Sequence, residues 1–416
     1  MSSIDHAKAM STEVYRGEQK IGTIIRTKSG SIFEYDFNYL STLTPDEKEE
    51  GKGAAFHLPY SRSKFETSGV NLHPYFAGLL PEGLRLKALV KKVKTSEDDL
   101  LSLLIASGSD CVGDLYVLPK GAPSPPTPVA IVDIGKVDQV IFADLFRQSV
   151  SPEGRLDEIN IPGVQDKVSG SMISFPIRGK KDRSAYILKM TPPDKPKIVQ
   201  NEYFFLKMAE SCGLNVNQAT IVHDVKGEEG LLIRRFDRVY DPKLDKVLSI
   251  HQEDACQFLN RYPADKYLVS MKEIAEGIQH FCSAPILDIA KLLHLKAFSY
   301  LIANGDLHAK NISIGNFNNS NRIEISPAYD LLSTLPYGDQ KMALKLDGRD
   351  DNLKRKNFIN FGNKFGIKEA AVVNILDQLV NASSSWIERL EEIGFDHKKT
   401  NHLRQVMLKR RRNLTE

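Results

Sequence analysis

The chain has 416 residues, 41% of them apolar and 26% charged, which is typical of a globular protein with two or three domains. Its 56 basic and 53 acidic residues leave a formal charge of +3, too small to indicate nucleic-acid binding by the chain as a whole. No stretch is apolar for long enough to span a bilayer, and we see no apolar signal segment. The cysteines are too scattered for a CxxC metal site, so we expect a cytoplasmic protein with reduced thiols and no membrane contact.

A proline-rich segment is the clearest boundary in the chain. Five prolines lie between Pro119 and Pro128, and neither a helix interior nor a central strand tolerates that density. We therefore expect a stiff, extended linker over 119–128. The predicted domains are residues 1–118 before the linker, a first lobe over 129–240 and a second lobe over 241–416.

The N-terminal domain is predicted to begin with short strands and to continue with helices. Turn residues separate the strands at Gly17 and at Ser29–Gly30. A helical region is predicted over 73–93. Ser96 and Asp99 resemble a capping box, which predicts the start of a second helix.

Strands dominate the first lobe, and helices dominate the second. We predict a strand over Ser184–Met190, a helix over Val199–Gly213 and then a hairpin that turns at Lys226–Gly230. The helical second lobe contains one predicted hairpin, over Ile312–Pro327. A β-rich lobe with one helix, followed by a helical lobe, is the order of a two-lobed protein-kinase-like fold of the α+β class, with a ligand cleft between the lobes.

Polar residues crowd the end of an apolar helical stretch in the second lobe, where the sequence reads LIANGDLHAKN. Phosphoryl transfer requires a group that accepts the nucleophile's proton and oxygen ligands for Mg²⁺. In kinases a catalytic Asp is followed five residues later by a metal-binding Asn, and a second metal-binding Asp follows a hairpin. Asp306, Asn311 and Asp330 have this spacing, so we predict that Asp306 is the base and that Asn311 and Asp330 bind Mg²⁺.

Two further residues of this stretch, His308 and Lys310, each have two possible interpretations. His308 is either a packing residue or, as we favour, a brace that holds the catalytic loop by hydrogen bonds. Lys310 is either an ordinary solvated lysine or a residue that reaches the transferred phosphate. Position alone supports the functional role of each.

The first lobe should supply a cation for the nucleotide phosphates. Lys189 ends the apolar strand AYILK, and a buried lysine requires a partner because an unpaired buried charge is costly. Glu202, early on the next helix, is the natural partner, as in the strand-Lys to helix-Glu ion pair of kinases. The alternative is that Lys189 points to solvent at the end of its strand.

Two segments of the first lobe are candidates for nucleotide contact. The sequence has no GxGxxG or GxxxxGK[ST] motif, but Gly163 lies in the segment NIPGVQDKVSGSM, where backbone N–H groups could approach a phosphate. The segment LLIRRFDR, Leu231–Arg238, leaves the lobe where a hinge would touch the nucleotide base.

Together, these motifs resemble those of the HipA family of bacterial toxin serine/threonine kinases. The resemblance covers nearly the whole chain and is carried by the segments YFAGLLPEG, SGSDCVGDLYVLP, IPGVQDK, NEYFFLKMAESCGLNV, RRFDR, HQEDACQ, NGDLHAKN and AYDLLS. It implies a kinase-like fold with an added N-terminal β/α domain. By position, it implies Asp306 as the base, Asn311 and Asp330 as Mg²⁺ ligands and Lys189 as the ATP-phosphate lysine. It also implies an ATP-covering loop formed by Gly163, Val164, Gln165, Asp166 and Lys167. The hinge that it implies, which contacts the nucleotide base, is formed by Arg234, Arg235 and Phe236.

The resemblance also implies partners. Members of the family are neutralised by a small helix-turn-helix antitoxin, HipB-like, often in a dimeric complex bound to operator DNA. Characterised substrates include aminoacyl-tRNA synthetases, whose phosphorylation arrests growth. Many members carry a self-phosphorylated Ser in the phosphate loop where this chain has Asn160, so we do not expect self-inactivation by that route.

Two other functions compete with this interpretation. A small-molecule phosphotransferase of the aminoglycoside-kinase type shares the GDxHxxN pattern, although the N-terminal domain and the HQEDACQ segment favour the HipA interpretation. The second alternative is a kinase-like binding module that keeps the fold but has no activity. The sequence contains all the polar groups expected of an active kinase site, which argues against this alternative. The basic tail, His397–Asn413, is either a solvated helix face or a phosphate-contacting patch.

Overall fold

A computed structural model describes residues 9–50, 53–69, 72–122, 131–150, 173–179, 184–317 and 322–416. Its strands are β1 (Ser11–Arg16), β2 (Gln19–Thr27), β3 (Gly30–Tyr35), β4 (Lys64–Ser68), β5 (Leu115–Leu118), β6 (Ile131–Val132), β7 (Ile173–Gly179), β8 (Ala185–Met190), β9 (Ala219–His223), β10 (Glu229–Arg234), β11 (Arg238–Asp241), β12 (Lys246–Ser249), β13 (Gln252–Asp254), β14 (Ser313–Gly315) and β15 (Glu324–Ile325). Its helices are α1 (Phe37–Thr42), α2 (Pro45–Glu50), α3 (Pro74–Gly78), α4 (Gly83–Val93), α5 (Leu100–Ser107), α6 (Phe142–Val150), α7 (Ile198–Ser211), α8 (Ala255–Phe258), α9 (Met271–Phe281), α10 (Pro285–Leu301), α11 (Arg355–Lys364), α12 (Glu369–Glu388) and α13 (His397–Thr415).

The chain forms two compact units. The first contains the described residues of Met1–Pro162, Ser174–Tyr186 and Asp237–Pro263, and the second contains those of Gly163–Ile173, Ile187–Phe236 and Ala264–Glu416. Within the described parts of the chain, no helix has the length and apolarity needed to cross a membrane.

A five-stranded antiparallel sheet organises the first unit, in the order β4-β3-β2-β1-β5. The predicted turns are present at Gly17, with a φ of +58°, and at the start of β3, where a Cβ on Gly30 would lie 1.9 Å from the Thr67 carbonyl oxygen. In β3 the alternate residues Ser31, Phe33 and Tyr35 are buried, as the period of a half-buried strand requires.

Helices α3 and α5 pack on this sheet and differ from the sequence prediction in two details. The helical region predicted over 73–93 is divided into α3 and α4, because Pro81 cannot continue a helix that begins before it. The capping-box prediction for Ser96 is wrong: Asp99 itself caps α5, and its carboxylate accepts the Ser102 backbone N–H.

A buried charged cluster joins three segments of the first unit. The His251 ring lies between two carboxylates, 3.2 Å from Asp114 Oδ1 and 3.2 Å from Glu253 Oε1, while Arg16 pairs with Asp114 at 2.7 Å. Burial disfavours the imidazolium, but the charges of Asp114 and Glu253 and the hydrogen bonds to them together outweigh burial and raise the pKa of His251 to about 9. The folded unit therefore holds a proton on His251 that the unfolded chain releases near pH 6.5.

His251→Gln is expected to destabilise the first unit in a pH-dependent way. Because the folded pKa lies above the unfolded value, the stabilisation is complete below about pH 6.5 and is lost as pH rises through about 9. The difference in unfolding free energy between wild type and variant should therefore shrink by about 3 kcal/mol between pH 6 and pH 10. Urea unfolding checks this, with the exposed His223→Gln as the control; a difference that is constant with pH contradicts the role of His251.

The second unit combines a small sheet with a helical bundle. Strand β10 lies between β8 and β9, and β9 and β10 form the predicted antiparallel hairpin. Its turn lies over residues 224–228 and not at the predicted Lys226–Gly230, because Glu229 and Gly230 already belong to β10. Helix α7, Ile198–Ser211, confirms the predicted Val199–Gly213 helix but ends two residues earlier, and it buries Phe205. Strands β14 and β15 pair through Ile314 and Ile325, which confirms the two strands of the second predicted hairpin.

The central helix of this bundle, α10, carries a buried lysine. Lys296 has 0% exposure, and its ammonium group donates to the Leu344 carbonyl oxygen. Burial, together with the cation of Arg410, lowers the pKa of Lys296 to about 7. Between pH 7 and the ordinary lysine pKa of 10.5, the folded chain therefore binds fewer protons at Lys296 than the unfolded chain does.

Lys296→Met is expected to stabilise the second unit. The penalty for the buried lysine is full below pH 7 and disappears above about pH 10.5, so the gain in unfolding free energy should be about 5 kcal/mol at pH 6 and small at pH 11. Thermal unfolding at the two pH values checks this. Lys272→Met, an exposed lysine paired with Glu276 at 3.3 Å, is the control and should have little effect. If Lys296→Met were less stable than the wild type at pH 6, the buried lysine would not lower the unfolding free energy as proposed.

Candidate active site

The segment after α10 forms a tight loop that presents Asp306. Ala303 adopts a left-handed conformation with a φ of +58°, and the Asn304 side chain accepts the Asp306 backbone N–H at 3.0 Å. At Gly305 a Cβ would lie 2.6 Å from the Lys341 carbonyl oxygen, so a glycine is required there. These constraints hold Asp306 in a buried position, with 2% exposure.

A tyrosine from outside this loop contacts the Asp306 carboxylate. The Tyr267 hydroxyl donates to Asp306 Oδ1 at 2.7 Å, and the Tyr267 ring meets the His308 ring edge-on at 5.1 Å. Sequence reasoning missed Tyr267, because a separation of 39 residues leaves no local pattern that would connect it with Asp306.

His308 and Lys310 are tied to the rest of the loop through their backbones. The His308 N–H donates to Asn311 Oδ1 at 3.3 Å, and the His308 side chain is 5% exposed. The Lys310 carbonyl oxygen accepts the Tyr329 hydroxyl at 2.7 Å, while the Lys310 side chain is partly exposed. The His308 side chain is therefore packed inside the loop, and Lys310 lies beside the segment that carries Asp330.

Asp330 is the centre of a buried polar cluster. Its Oδ1 accepts from Lys189 Nζ at 2.7 Å, and its Oδ2 accepts from Asn311 Nδ2 at 2.7 Å. Burial opposes ionisation of Asp330, but the Lys189 ammonium and the other donors together hold its pKa below the usual value. Its φ of +59° is rare for a residue with a side chain, and such strain is common at functional sites.

Lys189 joins the strand β8 to helix α7. Its ammonium lies 2.8 and 2.9 Å from the two carboxylate oxygens of Glu202, which has 0% exposure. The solvent-facing alternative for Lys189 is therefore not the arrangement found. Burial and the nearby Asp330 carboxylate raise the pKa of Glu202 to about 7, and the two carboxylates raise that of Lys189. One cation thus bridges two carboxylates.

The side chains of Asn311 and Asp330 fit a Mg²⁺ ion chemically. Mg²⁺ prefers oxygen ligands and is commonly held by one or two carboxylates together with phosphate and water. One carboxylate and one amide lie in contact here, beside the lysine that would meet the phosphates. No group of three or more His, Cys, Asp or Glu residues suited to a metal ion occurs in the described residues, so a dedicated all-protein metal cage is absent from them.

The hinge segment has one exposed and one buried arginine. Arg234 ends β10, where its backbone N–H donates to the Gln218 carbonyl oxygen at 2.9 Å, and its side chain is exposed, whereas Arg235 is 6% exposed. Phe236 packs against Phe317 and Tyr329, with ring centroids 5.1 and 5.8 Å away. The predicted phosphate loop, Gly163–Lys167, lies outside the described residues.

Family models match most of the chain. The HipA N-terminal domain matches residues 12–118, and the HipA-like C-terminal domain matches residues 159–387. A putative kinase, Y4mE, from Sinorhizobium fredii is 27% identical over 92% of this chain and 93% of its own length. The serine/threonine-protein kinase toxin HipA from Shewanella oneidensis is 26% identical over 83% of this chain and 80% of its own length.

The fold also matches a solved structure. HipA from Shewanella oneidensis, solved in complex with HipB and its operator DNA, aligns with a TM-score of 0.73 over 97% of each chain at 22% identity. The predicted α+β, HipA-type kinase-like fold is thereby confirmed.

The fold and the family matches define the chain as a kinase. The family can also be stated. Because the model of the HipA-like C-terminal domain covers more than half of its residues, the chain belongs to the HipA family.

Proposed function

We propose that this chain is an ATP- and Mg²⁺-dependent serine/threonine protein kinase and the toxin of a type II toxin–antitoxin module. The observation that carries the proposal is the Lys189–Asp330–Asn311 contact chain in a HipA-family protein, with Asp306 five residues before Asn311. Its elements are those that phosphoryl transfer requires: a phosphate cation, metal ligands and a base.

Each residue has a distinct role in the proposed reaction. Asp306 accepts the proton of the substrate hydroxyl as its oxygen bonds to the γ-phosphorus of ATP, and ADP leaves with the bridging oxygen. Asn311 and Asp330 would hold Mg²⁺, which when bound supplies positive charge to the phosphates. Lys189 binds the nucleotide phosphates, and Glu202 keeps its ammonium oriented through the pair at 2.8 Å. His308 braces the loop, and Lys310 contributes a further cation near the transferred phosphate.

Other proposed roles rest on the resemblance to the family. Gly163, Val164, Gln165, Asp166 and Lys167 cover the nucleotide phosphates. Arg234, Arg235 and Phe236 form the hinge that contacts the adenine base. The proposed functional division keeps an N-terminal domain over 1–118, a linker over 119–128 and two kinase lobes over 129–240 and 241–416.

The proposed partners are an antitoxin, operator DNA and a protein substrate. The Shewanella oneidensis HipA was solved with HipB and its operator DNA, which supports a HipB-like helix-turn-helix antitoxin for this chain. DNA contact is proposed to occur mainly through that antitoxin, in a dimeric complex. An aminoacyl-tRNA synthetase is the proposed class of substrate, and its phosphorylation would arrest growth.

Phosphoproteomics tests the proposed function. Cells that express the wild-type chain or Asp306→Asn are compared, and we expect new phosphoserine or phosphothreonine on a small set of proteins, together with growth arrest, only with the wild type. Purified protein is also incubated with ATP and either a lysate or a panel of aminoglycosides and other small alcohols. Transfer to the small alcohols alone would support the small-molecule phosphotransferase instead. Growth arrest that persists with Asp306→Asn would refute a kinase mechanism.

A further inference from the structure

The contact between Tyr267 and Asp306 lies outside the conventional elements of the site. Tyr267 follows the 3₁₀ turn Pro263–Asp265 and precedes α9, so it belongs to neither the catalytic loop nor the segment that carries Asp330. Its hydroxyl nevertheless lies 2.7 Å from Asp306 Oδ1, the oxygen atom of a carboxylate that is buried. A hydrogen bond to an ionised acceptor is among the strongest that a neutral donor makes.

Contacts on both sides hold Tyr267 in place. The carbonyl oxygen of Lys266 accepts the Ala309 backbone N–H at 3.0 Å, which fastens this segment to the catalytic loop. The Lys266 ammonium lies 5.4 Å from the centroid of the Tyr267 ring, and the His308 ring meets the Tyr267 ring at an interplanar angle of 76°. The hydroxyl is therefore presented to Asp306 by a side chain whose ring and backbone are both constrained.

A carboxylate can rotate about its terminal torsion, which is broad and has no sharp staggered minima. A fixed donor on one oxygen restricts that rotation. A carboxylate offers about four lone-pair sites, so a phenol on Oδ1 is compatible with a substrate hydroxyl bound at another site on the same group. Catalysis depends on such orientation, because a base must lie within hydrogen-bond reach of the proton that it removes.

We propose that Tyr267 is a positioning residue for phosphate transfer: its hydroxyl orients the Asp306 carboxylate toward the substrate hydroxyl. The proposal rests on the proposed role of Asp306 as the base. It predicts a cost in turnover but not in nucleotide binding, since the Tyr267 hydroxyl donates to Asp306, whereas separate hydrogen bonds hold Lys189 and Asn311 on Asp330.

Tyr267→Phe isolates the hydroxyl, because it keeps the ring that packs on His308. The assay measures transfer of labelled phosphate from ATP to a fixed lysate fraction, and calorimetry measures ATP affinity. We expect the apparent kcat to fall by about 10- to 100-fold, with the KM and Kd for ATP and the melting temperature unchanged. A merely structural role would instead lower the melting temperature or change both kinetic constants.

The chain offers a closely matched control. Tyr240 also donates to an Asp, at 2.7 Å from Asp245 Oδ1, but on the exposed β11–β12 hairpin. Tyr240→Phe should leave kcat unchanged. Wild-type or faster turnover of Tyr267→Phe overturns the proposal. Wild-type turnover would mean that the hydroxyl has no effect on the reaction, and faster turnover would mean that it competes with the substrate hydroxyl for Asp306.

A double-mutant comparison separates this inference from the proposed function. If Asp306 is the base, Asp306→Asn should abolish most transfer, and adding Tyr267→Phe should have little further effect on the residual rate. Full activity of Asp306→Asn would refute the role of Asp306. Inactive Asp306→Asn combined with normal Tyr267→Phe would refute only the role of Tyr267.

Discussion

Replacing Asp306 by Asn is expected to reduce phosphate transfer by about 10²- to 10⁴-fold, which is the range for loss of a general base. The amide has nearly the size of the carboxylate and still offers an oxygen atom to the Tyr267 hydroxyl, so the loop should keep its structure. The proposed phosphate lysine and metal ligands are held by hydrogen bonds of their own, from Lys189 and Asn311 to Asp330, so ATP affinity should stay within a few-fold of the wild type. Rates with labelled ATP and calorimetric ATP titrations measure the two quantities separately.

Asp396→Asn is the matched control for this prediction. Asp396 caps α13, and its carboxylate accepts the Lys399 N–H at 2.9 Å. Asn caps helices about as well as Asp, so neither activity nor stability should change appreciably. Turnover of Asp306→Asn within tenfold of the wild type would show that another group accepts the proton.

Lys189→Met should have the second large effect, on both activity and stability. The substitution keeps most of the side-chain length but removes the charge that Glu202 and Asp330 share, at 2.8 and 2.7 Å, respectively. Breaking a buried ion pair on one side typically costs about 3–5 kcal/mol of unfolding free energy. We expect that loss in the second unit, together with at least about 100-fold slower transfer because the phosphate cation is gone.

A double variant separates the two losses. Lys189→Met with Glu202→Gln leaves Asp330 as the one remaining carboxylate of the two that paired with Lys189, so part of the lost stability should return while transfer stays low. The control is Lys207→Met on helix α7, which also carries Glu202. The exposed pair of Lys207 with Glu210, at 3.2 Å, should contribute less than about 1 kcal/mol to the unfolding free energy. Urea unfolding measures the stability of all three variants. A wild-type rate of phosphate transfer by Lys189→Met would show that Lys189 is not part of the active site.

Much of the candidate site was predictable, because its elements are local in the sequence. Asp306 and Asn311 are five residues apart in one loop, and the short spacing to Asp330 is set by a single hairpin. The strand and helix that carry Lys189 and Glu202 are adjacent, so an apolar strand with one lysine was enough to suggest the pair. The side chains of Lys189, Glu202, Asn311 and Asp330 do lie together, although their catalytic roles stay predictions.

Contacts between distant segments could not be predicted in this way. The sequence by itself determined the α+β order of elements, the family motifs and the local spacing of the site, because these depend on periodicity, turn chemistry and short separations. Only the tertiary structure brought Tyr267 to Asp306 and placed His251 between Asp114 and Glu253. It also buried Lys296 at the centre of a helical bundle. Such contacts depend on how separate segments pack, and a hydrogen bond between residues 39 or 137 positions apart leaves no periodic pattern along the chain.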